Sequence, residues 1–125
     1  MFFLLIIACK SSPSQYIQTK EGKLMPNIAA CAERNFPKVA KPYVSQVLVE
    51  MKIKVDKEGI VRFAEPQRVL FRPNTDRHIA ELVTPHFERA GIESLLNRQC
   101  PIHYENGEPK PYMLVVPLSY ELVNQ

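Results

Sequence analysis

The stretch QVLVEMKIKV, residues 46–55, constrains the fold more than any other part of this chain. Val47, Val49, Met51, Ile53 and Val55 alternate with Gln46, Leu48, Glu50, Lys52 and Lys54. A side-chain period of two belongs to a β-strand, whose successive residues point to opposite faces, so this strand has one dry face and one wet face. Asp56-Lys57-Glu58-Gly59 follows. Glycine takes positive φ without steric cost, which makes this segment a tight reversal. A second strand is expected from Ile60 to Phe63, resuming as QRVLF after Pro66. A two-stranded hairpin is marginal alone, so another strand must join it and helices must cover its dry face.

The end of the chain supplies that strand. Asn106-Gly107 is a two-residue hairpin signal. After it, Tyr112, Leu114, Val116, Leu118 and Tyr120 alternate with Met113, Val115, Pro117, Ser119 and Glu121. Proline cannot donate to a strand ladder, so Pro109, Pro111 and Pro117 put at least one side of this strand at or near a sheet edge. An exposed edge accepts an extended peptide by strand addition. Tyr112, Met113, Leu114, Val115 and Val116 are the candidate partner-binding edge. Prolines at an edge are equally a device against unwanted pairing.

Two helices are expected. In MPNIAACAERNFP, Pro26 suits a first turn, Ala29, Ala30 and Ala32 favour helix, and Ile28, Cys31 and Ala32 form a narrow apolar stripe. Pro37 stops it, giving a short helix over about residues 26–35. The second covers residues 75–97, capped by Asn74 or Thr75, with Ile79, Leu82, Val83 and Phe87 facing inward. Pro85 is expected to kink or restart it with Thr84 as a new cap, and Gly91 to end that piece before a last turn or two. The expected fold is α+β: a small antiparallel sheet of about three strands packed against two helices.

The chain begins with an apolar run, Met1 to Ala8, that stops at Cys9. A membrane-spanning helix needs ~20 apolar residues, so this run is too short to span and reads as the tail of a secretory signal. "IIAC" resembles the lipobox of bacterial lipoproteins, which implies cleavage before Cys9 and acylation of its sulfur by palmitate-like chains. No Lys or Arg precedes Cys9, as expected if the natural start lies upstream. An ordinary cleaved signal and a cytosolic chain are the alternatives. Lys10 rather than Asp after Cys9 favours the outer membrane over the inner one. The expected organisation is a signal remnant over 1–8, a lipidated tether over 9–23 and one domain over 24–125. With Cys9 set aside, Cys31 and Cys100 are an even pair. In an oxidising compartment they form one disulfide or stay as two buried thiols.

Residues 36–66 and 101–122 together carry a resemblance. Phe36, Pro37 and Ala40, then Val47, Val49 and Val55, then Asp56 and Gly59 resemble the start of the TonB C-terminal domain. Pro101, Asn106, Gly107, Pro109, Val116, Pro117, Leu118, Tyr120 and Leu122 resemble its end. The likeness covers about Phe36 to Leu122, with Gln99 where the family usually has an aromatic. It implies a TonB C-terminal-like fold and a domain that grips a receptor peptide by strand addition, linked to TonB-dependent transport. Family members also pair edges, which implies a homodimer. This sequence shows neither the membrane helix nor the long spacer of an energy transducer, so the resemblance does not imply energy transduction.

Chemistry is sparser than binding. Cys100 and His103 form a C-x-x-H, but zinc needs three or four convergent ligands, and His78 and His86 are too far apart for one ligand face. No metal or cofactor is expected. Ser94 and Ser119 lack a nucleophile elbow, and the 4 glycines build no phosphate loop. The net charge of +3 is spread without a basic run, so nucleic acid is not a partner. The expected function is a lipid-anchored, periplasm-facing interaction module with an envelope protein or peptide segment as partner. The alternative is an envelope hydrolase using Cys100 or a histidine.

Overall fold

The computed structural model describes residues 14–122. Cys9 and the signal remnant lie outside the described residues. The centre is a three-stranded antiparallel sheet of β3 (Gln46–Val55), β4 (Val61–Phe71) and β7 (Tyr112–Glu121), in the order β4-β3-β7. The alternating strand is therefore the middle one. Val49, Met51 and Ile53 are fully buried, while the intervening Leu48, Glu50 and Lys52 face the open side. On that side Arg68 pairs with Glu50 at 3.0 Å and Lys54 lies over the Phe63 ring.

The β3–β4 reversal turns on Gly59, with φ of 88°. Asp56 caps it: its carboxylate accepts from the backbone N–H of Ile60 and Glu58 and from Arg62. The bond from Ile60 is the largest reason why the Asp56 carboxyl is held below its usual range. Strand β4 runs unbroken through Pro66, with register shifts at Glu50/Met51 and Lys54/Val55 absorbing the proline and the turn.

One α-helix, α1 (Arg77–Leu95), covers the dry face. Phe87 is fully buried at its centre, with T-shaped contacts to Phe36 at 5.3 Å, Tyr120 at 5.8 Å and Phe71 at 6.4 Å. The expected break at Pro85 does not occur. Proline removes the donor that Glu81 would receive, but both residues are exposed, so that carbonyl can face water. Thr84 is no cap; its hydroxyl donates to the Ala80 carbonyl at 2.6 Å. Gly91 does not end the helix either. A Cβ there would stand 2.6 Å from Met51 Sδ, so glycine lets helix and sheet approach closely.

The expected helix over 26–35 is also corrected. Only a 3-10 turn forms, over Ile28–Ala30, followed by another over Lys38–Ala40. Short helices gain little by themselves, and here tertiary ties win. Ile28 enters the core, Cys31 reaches Cys100, and Glu33 N–H donates to Ser94 O. The segment expected to be tether contains strand β1 (Tyr16–Gln18), which pairs with β2 (Leu24–Pro26). Strands β5 (His103–Glu105) and β6 (Glu108–Lys110) form the hairpin expected at Asn106-Gly107, both with positive φ. No helix among the described residues is long and apolar enough to cross a membrane.

Candidate functional site: the outer edge of β7

The hydrogen-bond register decides which β7 groups are free. Arg72 N–H donates to Gln46 O, so even-numbered residues of β3 bond towards β4. Leu122 N–H donates to Ser45 O, so odd-numbered residues of β3 bond towards β7. Val47 opposes Tyr120 and Ile53 opposes Leu114, so it is the even-numbered residues of β7 that bond to β3. Met113, Val115, Pro117 and Ser119 therefore direct their main-chain groups away from the sheet. Pro117 falls at one of these outward positions, where its missing N–H costs the ladder nothing.

This refines the expected binding edge. Tyr112, Leu114 and Val116 bond to β3 and turn their side chains towards the core face. Within that window only Met113 and Val115 carry outward donors, and these two residues are 57% and 60% exposed. Among the described residues, no backbone group pairs with the outward edge at Met113, Val115 or Pro117. The far edge of the sheet is less inviting: Val61 is paired with Asn97 and Arg98, and β4 is bulged further on.

A groove of about 450 Å³ follows the β7 edge from Leu114 to Leu118. Its other wall is the N-terminal hairpin and the 3-10 turn after it, chiefly Ile17, Met25, Ile28 and Ala29. Arg34 closes one end, where its Nη1 donates to Ser119 O at 3.3 Å. Three ties place this second wall. Tyr16 Oη donates to Ile102 O at 2.6 Å, Arg98 Nε donates to Cys31 O at 2.7 Å, and Cys31 is bonded to Cys100 with Cα atoms 5.1 Å apart.

Arg34 and the hairpin wall were missed by the sequence reading. A signal was present: Thr19-Lys20-Glu21-Gly22 repeats the Asp56-Lys57-Glu58-Gly59 pattern. Gly22 has the same φ of 88°, and Thr19 makes the turn bonds that Asp56 makes.

The chemical candidates are not brought together. Among the described residues no group of three or more His, Cys, Asp or Glu could hold a metal. The Cys100 sulfur is bonded to Cys31 and offers no thiolate. His103 is buried, with Nε2 3.2 Å from Glu105 and its ring edge-on to Tyr112. Ser94 is buried against Tyr120, hydroxyl to hydroxyl at 2.7 Å. Burial pushes the Tyr112 phenol up to about 12, and nearby Tyr16 adds to the effect. Comparison with protein-family models, curated proteins and solved structures finds no match to this chain.

Proposed function

We propose that this chain is a protein-interaction module of the bacterial cell envelope. It binds an extended peptide or receptor segment as an added strand on the outer edge of β7. Acylated Cys9 anchors it to a membrane, the outer more than the inner, and the domain faces the periplasm. TonB-dependent transport is the process that the sequence resemblance attaches to such a domain.

One observation carries the reading. The outward main-chain groups of Met113 and Val115 lie unpaired, among the described residues, and the same edge from Leu114 to Leu118 lines an apolar groove. Main-chain bonds to such an edge supply affinity, and pockets for alternate side chains supply specificity. Prolines limit the edge to a short window without closing it.

The test uses Met113→Pro and Val115→Pro. Each removes an outward donor and no bond of the existing sheet, so both variants should fold. Each should lose envelope partners that the wild type captures from membrane extract. Leu82→Ala, on the exposed face of α1, should keep them. If both folded proline variants retain every partner, strand addition at this edge is wrong.

A further inference from the structure

We infer that the β7 groove takes the C-terminal end of its partner, with the partner strand parallel to β7 and its terminal carboxylate held by Arg34. This rests on the strand-addition reading and adds the polarity of the ligand and the identity of its end.

The window for an added strand is bounded. Before β7 stands Pro111, which has no donor. At the other end the Arg34 guanidinium already occupies the outward Ser119 carbonyl, the next acceptor an added strand would use. Between them lie the N–H and C=O of Met113 and Val115 and the C=O of Pro117. At about 3.3 Å per residue, Met113 to Pro117 spans about 13 Å, room for four or five residues of an extended chain. A longer strand cannot continue past Ser119 without displacing Arg34, so a chain that ends there fits best.

Charge sets the direction. Among the described residues Arg34 is the one charged side chain lining the groove, and it makes no ion pair with any of them. A guanidinium presents five N–H donors in a fork that matches a carboxylate. An antiparallel peptide ending at Arg34 would present its terminal ammonium to this cation. A parallel one presents its carboxylate. Parallel pairing is slightly weaker per residue, but a charge-assisted bond to the terminus is among the stronger polar contacts. Capture of a terminal carboxylate is a recurring recognition mode. Across from β7 the groove is lined by Ile17, Ile28 and Ala29. An aliphatic side chain of the ligand packs against them.

The probe is a library of short random peptides displayed with free C-termini, screened against the folded domain. Selected peptides are resynthesised as carboxamides. Binding is measured by fluorescence anisotropy and located by backbone amide shifts at Met113 and Val115. The free acids should bind at least about tenfold tighter than the amides, the scale of a hydrogen bond to a charged group. Arg34→Gln should abolish that preference and Arg34→Lys should keep part of it. Peptides that shift both amides yet bind equally as acid and amide overturn terminal capture and leave strand addition standing. A library in which no peptide shifts these amides overturns both.

Discussion

Replacing both Cys31 and Cys100 by alanine should cost about 4 kcal/mol of stability. The bridge joins residues 69 apart in sequence. A loop of that length loses roughly 2.1 + 1.5R ln n cal/mol/K of entropy in the unfolded chain, about 15 cal/mol/K, or about 4.4 kcal/mol at 25 °C. The effect acts on the unfolded state, because the folded N-terminal segment keeps other ties. Arg98 still reaches Cys31 O, Glu33 N–H still meets Ser94 O, and Ile28 stays in the core. The variant should therefore fold with the groove wall in place. Against a total of roughly 5–15 kcal/mol for a domain, the loss is large. Urea unfolding followed by circular dichroism measures it on the exported protein in three forms: oxidised, reduced, and double alanine variant. The reduced and variant forms should share a lower midpoint and a steeper slope, since an unlinked chain exposes more surface. A loss under about 1 kcal/mol with an unchanged slope would refute the reasoning, because the loop term predicts several times that.

Three further outcomes follow from particular residues. Gly59→Ala should destabilise by about 3 kcal/mol, whereas Gly107→Ala should cost only about 1 kcal/mol. Both have positive φ, but a Cβ at Gly59 would stand 2.3 Å from Cys100 O and one at Gly107 meets nothing within 4 Å, so paired urea titrations isolate the packing effect. Tyr112 has its folded pKa raised to about 12, above its ordinary 10.0, so its contribution to stability is complete below pH 10 and is lost as pH rises towards 12. Tyr112→Phe should remove the last step of phenolate absorbance and flatten that alkaline loss; an unchanged titration curve counts against it. Cys9→Ser should leave a protein that no longer enters the detergent phase on phase separation. Equal partitioning of variant and wild type, from the natural start codon, would remove lipidation.

Features written in a few neighbouring residues were legible in the sequence. The dry and wet faces of β3 follow from side-chain alternation alone, and the Asp56–Gly59 and Asn106-Gly107 reversals follow from residues that accept turn geometry. The three-stranded antiparallel sheet with the last strand beside the β3–β4 hairpin was also legible, because a lone hairpin cannot bury its face. Local propensity misled where long-range ties outweighed it. The alanines after Pro26 favour helix, yet Ile28 and Cys31 are drawn to the core and to Cys100, and only a 3-10 turn remains. Pro85 and Gly91 read as breaks, yet one faces water and the other admits Met51.

The groove itself belongs to the tertiary structure. Sequence identified Tyr112 to Val116 as an edge but could not say which residues turn their N–H outward, because that depends on register against β3. Nor could it bring Ile17, Ile28 and Arg34 to β7, since those residues lie 78 or more positions before it along the chain. Alternation and turn chemistry are local and survive in any context. A binding edge is defined by what does not pair with it, and that is decided only when the whole chain has folded.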